Sequence, residues 1–475
     1  MRSTVYHSTK DLGDVRAVSV VRLIEEPRPQ AASCAYSFGD CRFDPARRLL
    51  FRGEEVTPIP ERLSVLLGEL VAANGGLVTK ERLAESIWQH DAVSDGNLAQ
   101  HVYMLRRLLG ERARDHSYVL SVSGGYRFAL PVVETPIARE EPIPDATTIG
   151  DALLRSGVDP FRNYCQGSFF IEQRTAPAIK RAIEFFDAAL RSNPNYVPAL
   201  IGLARSRALL AEYWHAPPGL SFPLAKKAIA RALAIDPTSA VAHAVRSGLL
   251  CFCDWDWKGA QEEIDLAIRL NPGSTFVRNN AAWLYVCTGR YADALAQAEC
   301  ALMMEPSSLP LQLLLARVML HSRDYSNAIA IMTSLLETDE TFYIARRYRA
   351  QALLLGGDPE KAITDLQLLP QERSEDPSFR LPMLARAYAD MGEAQRSEEV
   401  FETLLSMART DYVVSWNLAI VAAGLGRSED AMAYLEAAYE QRESTLPFLK
   451  SLPWFASLVA TPRFRSLLMK TGTVL

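Results

Sequence analysis

Four prolines, in "SNPN", "IDPT", "LNPG" and "MEPS", stand at 194, 237, 272 and 306, with steps of 43, 35 and 34 residues. A period near 34 in alanine- and leucine-rich text restricts this chain more than any other feature. Each period holds a pair of helices too small to bury its own apolar face, so successive pairs must stack. Small residues keep step with the prolines: Ala282, Gly289, Tyr291, Ala294 and Ala301 precede Pro306. One period earlier stand Gly248, Trp255, Trp257, Ala260 and Ala267, and one period later Ala316, Arg323, Tyr325, Ala328 and Leu335. Paired helices approach closely where side chains are short, and the proline ends the second helix. The register continues through Ala350, Gly357, Ala362, Ala385, Gly392, Ala419, Gly426, Ala431 and Ala438; upstream, Ala182 and Ala189 end a first repeat. About eight repeats are expected from about 160 to 443. The long step contains "EYWHAPPGLSF", whose prolines predict a lengthened loop between Ala211 and Phe222. The last stretch, "STLPFLKSLPWFASLVATPRFRSLLMK", breaks the period and reads as a cap, with Trp454, Phe455 and Phe464 over the last hairpin.

At 475 residues the chain exceeds one ordinary domain. Its net charge of −5 gives no general attraction to nucleic acid or anionic membrane, so any such contact needs a local patch. Seven cysteines are scattered without a CxxC pair, which suits buried thiols in a reducing compartment rather than a disulfide framework or metal knuckle. The N-terminus lacks a signal-peptide pattern, and no stretch reaches 18 uninterrupted apolar residues, so a cytoplasmic chain without a membrane span is expected. No GxxxxGK[ST], HExxH or nucleophile elbow occurs, and the seven histidines are spread singly. The expectation is a protein that is not an enzyme and has neither cofactor nor metal.

Residues 36 to 130 have another texture. "YSFGDCRFDPARRLLFRGEEVTPI" alternates short apolar runs with turns and predicts a small antiparallel sheet of four strands. Three helices follow: one opening on Pro60, one capped by Thr79 in "TKERLAESIWQ", and one in "SDGNLAQHVYMLRRLLG", where Ser94 and Asp95 offer N-caps and Gly110 ends the run. Leu98, Val102, Leu105 and Leu109 mark the buried face of the third helix. "YVLSVSGGYRFAL" then predicts a hairpin. The stretch "PVVETPIAREEPIPDA" carries four prolines and four acids and reads as a linker.

Sheet, three helices and hairpin is the order of a winged helix. On "RGEEVTP", "TKERLAESIW", "HVYMLRRLLG" and "GGYRF", the segment resembles the OmpR/PhoB-type DNA-binding domain, and more closely the CadC-like and invasion-regulator-like transcription regulators. The repeats resemble the tetratricopeptide family, which implies a right-handed superhelix. The fold class is therefore mainly α: an N-terminal α+β winged helix linked to an all-α tetratricopeptide superhelix. The expected boundaries are a loose leader over 1–33, the winged helix over 34–131, the linker over 132–149, the repeats over 150–443 and the cap over 444–475.

The first resemblance implies that the third helix enters a major groove and the wing an adjacent minor groove. Asn97 and Gln100 then offer adenine its paired donor and acceptor, Arg107 reaches guanine or a phosphate, and Tyr103 and Met104 meet thymine methyls. Trp88 and His101 match positions near the sugar–phosphate backbone, and Ser123 and Arg127 lie on the wing. Arg106 fits either a surface role or an internal ion pair. The sequence also departs from the family: Gly96 stands where arginine is frequent, Tyr103-Met104 replace an arginine-rich pair, and the wing tip Val122-Ser123-Gly124-Gly125 has no arginine. Residues 36 to 130 carry 12 basic and 12 acidic groups, with a local excess of +3 over 97–127. One such domain makes few phosphate contacts, so action as a homodimer or on tandem sites is expected.

The implied partners are double-stranded promoter DNA, RNA polymerase contacted by an activator, and a protein or peptide in the repeat groove, with no membrane. Asn280 and Asn417 match positions that hold a ligand backbone in peptide-binding relatives, and Arg346, Arg347 and Arg349 form a basic cluster for an acidic tail. The alternative is a scaffold or adaptor whose winged helix docks protein.

Overall fold

In the computed structural model, residues 34–472 are described apart from 47, 54, 60, 89–94, 112–117, 137–159, 307 and 370–376. The leader expected over 1–33 and most of the linker expected over 132–149 lie outside the described residues. The chain divides into two units. One runs to Leu210 and resumes over Ser221–Val245; the other takes Ala211–Leu220 and Arg246 onward.

The head of the first unit begins with β1 (Cys34–Phe38), β2 (Cys41–Asp44), β3 (Leu49–Arg52) and β4 (Glu55–Pro58), each antiparallel to the next. Then come α1 (Glu61–Ala72), β5 (Leu77–Thr79), α2 (Lys80–Trp88) and α3 (Asp95–Leu108). Thr79 caps α2 as its sequence predicts: the Arg82 backbone N–H donates to Thr79 Oγ1 at 3.2 Å. The three helices turn Leu63, Leu66, Leu70, Leu83, Leu98, Val102, Leu105 and Leu109 onto Phe38, Phe43 and Phe128, each 3% exposed or less. Each such side chain contributes about 1.5–3 kcal/mol by leaving water.

The wing is β6 (Val119–Val122) and β7 (Gly125–Phe128), joined through Ser123-Gly124, with β5 on the other side of β7. A Cβ on Gly125 would lie 2.1 Å from the Val78 carbonyl oxygen, so β5 and β7 meet because residue 125 is glycine. The stretch after the wing departs from the linker reading. Val133–Pro136 form β8, which pairs with β1 from Ser37↔Val133 to Cys34↔Pro136, making five strands in the order β4-β3-β2-β1-β8. Prolines in the text disguise this strand, but an edge strand tolerates them.

Among the described residues, sixteen helices follow one another between Pro160 and Glu440 in the order of eight hairpins, and six of the hairpins pack their two helices together. The first helix, α4 (Pro160–Glu172), packs on the head: Phe161 and Cys165 lie in the head's hydrophobic core, and Arg162 Nη2 donates to Thr57 Oγ1 at 2.9 Å. Arg48 and Glu172 add an ion pair at 3.1 Å. α5 (Ala176–Ser192) follows, then α6 (Val197–Glu212) and α7 (Pro218–Ile235). The loop expected between Ala211 and Phe222 is therefore only 213–217. Pro218 opens α7, where a missing N–H costs nothing, so prolines that suggested a break instead start a helix.

The remaining helices are α8 (Ala240–Leu249), continued by a π turn over Leu250–Asp254, α9 (Trp257–Leu270), α10 (Thr275–Cys287), α11 (Tyr291–Met304), α12 (Leu309–His321) and α13 (Tyr325–Thr338). α14 (Tyr343–Leu355), α15 (Pro359–Gln367), α16 (Pro377–Asp390), α17 (Ala394–Met407), α18 (Ser415–Gly424) and α19 (Ser428–Glu440) complete the series. The sequence register has a direct packing counterpart. Ala282, Ala316, Ala350, Ala385 and Ala419 on first helices, and Ala260, Ala294, Ala328, Ala362 and Ala431 on second helices, are all 0% exposed. Asp256, Asp324 and Asp358 cap α9, α13 and α15 by accepting a backbone N–H three residues on.

After α19 the chain makes two 3₁₀ turns, Leu446–Phe448 and Pro453–Leu458, and ends in α20 (Pro462–Lys470). Phe455 meets Trp416 of α18 edge-on at 5.0 Å and Phe464 at 6.4 Å. The segment does more than that. Phe448 lies 6.0 Å from both Phe252 and Trp283 and 4.7 Å from His321, and Trp257 Nε1 donates to the Thr471 carbonyl at 3.0 Å. No helix among the described residues is long and apolar enough to cross a membrane.

Candidate nucleic-acid interface

The spacing of Leu98, Val102, Leu105 and Leu109 fixes how α3 is rolled on the head, because those four side chains are buried in its core. The opposite side is turned outward. Tyr103 is 51% exposed and His101 and Arg107 are half-buried, whereas Met104, also half-buried, packs against the head's core. Ser123 and Arg127 are exposed on the wing. The side chains of Trp88, Asn97 and Gln100 lie outside the described residues, although their backbones belong to α2 and α3. Helix and wing thus bring Tyr103, Met104, Arg107, His101, Ser123 and Arg127 into one head.

Arg106 resolves into its internal role. Its Nε and Nη2 donate to the Val119 carbonyl at 3.0 and 2.6 Å, and Nη2 also reaches Ser121 Oγ at 3.1 Å. Its guanidinium sits 3.5 Å from the Glu111 carboxylate, which accepts the backbone N–H groups of Tyr118 and Val119 at 2.6 and 2.9 Å. These bonds tie the last turn of α3 to the first wing strand, so helix and wing are presented as one piece. On the other side, Arg52 Nη2 donates to the Leu109 carbonyl at 2.7 Å, serving a carbonyl at the helix end that has no partner within the helix. Sequence reasoning missed Glu111 and Arg52, because each acts across the fold on a backbone group that no motif marks.

Arg107 points to a different neighbourhood. Its guanidinium carbon lies 5.9 Å from the Tyr103 ring centre and 5.4 Å from that of Phe161 on α4. The C-terminal end of the candidate reading face therefore borders the first helix of the repeats, within the same unit.

Of the repeat residues expected to meet a partner, two are buried. Asn417 is 0% exposed and Arg347 8% exposed. The Arg347 guanidinium lies 4.0 Å from the Phe379 ring centre and 5.1 Å from that of Trp214. Arg346 and Arg349 both pair with Asp365, at 3.5 and 2.7 Å, and Asp365 is itself 3% exposed. Asn280 Nδ2 donates to the Phe276 carbonyl of its own helix at 2.8 Å. Stacking thus brings the buried Asp365 to Arg346 and Arg349 and aromatic rings to Arg347, so these three arginines do not form an open basic cluster, while Asn280 stays half-buried. Arg317, which the sequence reading passed over, is clamped between the rings of Trp283 and Tyr348 at 4.1 and 4.0 Å.

Two buried titratable groups belong to the C-terminal segment and its bed. Burial pushes the Glu443 carboxyl up to about 7, although it accepts the backbone N–H groups of Ser415 and Trp416 at 2.7 and 3.1 Å. Burial, helped by Arg317, brings His321 down to about 3, so the ring is neutral against Ser451 Oγ at 2.8 Å. Among the described residues no three His, Cys, Asp or Glu side chains are grouped to hold a metal ion.

Residues 54–128 match the family model described as transcriptional regulatory protein, C terminal, and residues 313–377 and 383–444 match that of the tetratricopeptide repeat. The transcriptional regulator HilA of Salmonella typhimurium and that of Salmonella typhi are each 35% identical over 106 residues, or 22% of this chain. That match spans 18% of the length of those curated relatives. Among solved structures, the DNA-binding domain of E. coli CadC aligns with 22% of this chain and 98% of its own, at 22% identity and a TM-score of 0.20. A tetratricopeptide repeat protein from Parabacteroides merdae aligns with 53% of this chain and 94% of its own, at 17% identity and a TM-score of 0.38. On the family matches and the HilA identity, the head is an OmpR/PhoB-type transcription-regulator domain, carried on a chain of tetratricopeptide repeats.

Proposed function

We propose that this protein is a one-component transcription regulator, an activator that binds double-stranded promoter DNA with α3 in the major groove and the wing at the neighbouring minor groove. The observation that carries this reading is the division of labour between adjacent arginines. Arg106 braces the helix to the wing, which leaves the outward face, with Tyr103 half exposed, to meet a ligand. On this reading Asn97 and Gln100 address adenine, Arg107 a guanine or phosphate, Tyr103 and Met104 thymine methyls, Trp88 and His101 the backbone, and Ser123 and Arg127 the wing contact. The head carries as many acids as bases, so one copy binds weakly; a homodimer or tandem half-sites supply the missing affinity. The repeats take a protein partner, RNA polymerase is the target of activation, and the protein works in the cytoplasm.

Sequencing DNA crosslinked to the protein in its own cells tests the reading. Enrichment of discrete promoter regions is expected; a profile equal to background would defeat it. One observation favours a second reading, a protein-docking head: Arg107 already meets the aromatic ring of Phe161. Loss of partner binding but not DNA binding in a Gln100→Ala, Arg107→Ala double variant would select that alternative.

A further inference from the structure

The segment after α19 is placed as a ligand is placed, not as a helix of the array. Its backbone forms short 3₁₀ turns, Leu446–Phe448 and Pro453–Leu458, and Phe455 inside the second is non-helical (φ −112°, ψ 28°). Yet Glu443, Leu446, Leu449, Ser451, Leu452, Trp454 and Phe455 are each 5% exposed or less. Such short turns have little stability of their own, so the surface beneath holds them.

That surface is the row of first helices. Glu443 binds the two leading N–H groups of α18, whose N-cap residue Val414 offers no side-chain cap. Phe448 sits among Phe252, Trp283 of α10 and His321 of α12. Ser451 bonds His321, and the Trp454 carbonyl accepts from Arg386 Nη1 of α16 at 3.2 Å. Four first helices are bridged by sixteen residues of chain. The recognition is distributed: a carboxylate at one end, an aromatic ring five residues on, a hydroxyl three beyond it, and a backbone carbonyl three further on. The strap leaves α19 through Arg442, a non-glycine residue in the left-handed region at φ +55°.

We infer that residues 443–458 are a tethered occupant of a peptide site on the first helices, and that the site takes, when the strap leaves, an extended protein segment with the same order of carboxylate, aromatic ring and hydroxyl. The strap holds the site closed by local concentration, since a ligand on a short tether competes at an effective millimolar level. An incoming segment succeeds when it makes the same contacts and finds the strap out of place. This inference rests on the reading that the repeats receive a protein partner, but not on DNA binding.

The test uses the full chain and a fluorescent synthetic peptide of residues 443–458. Wild-type protein is expected to bind it weakly, because its own strap competes. The Phe448→Ala variant, with its strap weakened and its bed intact, is expected to bind the same peptide at least tenfold more tightly. A peptide itself carrying Phe448→Ala should lose that gain. Equal, weak binding by both proteins, with circular dichroism showing the variant folded, overturns the inference. If the variant does not fold, hydrogen exchange on the unmodified chain decides: strap amides exchanging at least tenfold faster than those of α12 support a separable occupant, and joint exchange overturns it. Failure here with promoter DNA still enriched would remove the strap proposal alone; a bound peptide with no promoter enrichment would remove the gene-control reading alone.

Discussion

α3 of the head and α14 of the repeats look alike as text: each places arginines beside aromatic residues on an amphipathic helix. Their fates differ. On α3, Tyr103 remains 51% exposed. On α14, Arg347 is 8% exposed among rings, and Arg346 and Arg349 share the buried Asp365. The head is small and one-sided, so Tyr103 stays open on the face away from its core, while Arg107 at the end of that face meets Phe161. The repeats stack on both sides and are then crossed by their own C-terminal segment, so similar residues become internal. A binding face is thus defined less by its residue types than by what the rest of the chain lays over it.

The contrast can be broken most forcefully at Asp365. Asp365→Ala strands Arg346 and Arg349, whose side chains are 14% and 19% exposed. Breaking a buried ion pair from one side costs about 3 kcal/mol, which a urea titration of the full chain would register. An unchanged unfolding midpoint would return these arginines to the surface. In the head, Arg106→Ala removes three hydrogen bonds and leaves Glu111, with a side chain 1% exposed, without its cation. A loss of about 2 kcal/mol is expected, with faster amide exchange in β6; no change in either would separate wing from helix. Phe448→Ala is expected to cost about 2 kcal/mol, below the range for fully buried rings because this one is half-buried.

A smaller, sharper effect is the pH profile of the strap and its bed. Glu443 titrates near 7 when folded against 4.5 ordinarily, so its contribution is complete below 4.5 and is lost as pH rises to 7. His321 titrates near 3 against 6.5, so its contribution is complete above 6.5 and is lost as pH falls to 3. Between 4.5 and 6.5 the two slopes oppose, and wild-type stability should be nearly flat in that window. Glu443→Gln removes one of them, so the variant's stability should rise with pH there, by up to about 1.4 kcal/mol per unit. A flat profile in the variant would show that His321 is not held neutral. The smallest effect is expected at Tyr103→Ala, under about 0.5 kcal/mol in stability, as for an exposed site; a larger loss would mean that the α3 face is packed.

The sequence carried the repeat period well because its cause is local and repeated: ten alanines placed in register all prove fully buried. "GGYRF" was equally legible, since Gly125 answers a close approach of two strands. Other features depend on distant partners and left little trace. β8 exists because the edge of β1, about 100 residues earlier, accepts it. The strap's path depends on Phe252, Trp283 and His321, each from a different repeat. Asn417 matched a ligand-holding position, yet its burial depends on stacking that one repeat cannot express.

The central claim is that the outward face of α3 reads DNA. Gel-shift titration of the full chain on a promoter fragment recovered by crosslinking, comparing wild type with Gln100→Ala, Arg107→Ala, tests it most directly. The account expects the double variant to unfold at the wild-type denaturant concentration yet to bind that fragment roughly a hundredfold more weakly, with a shallower dependence on salt. Binding of the variant at wild-type affinity and salt slope would contradict it.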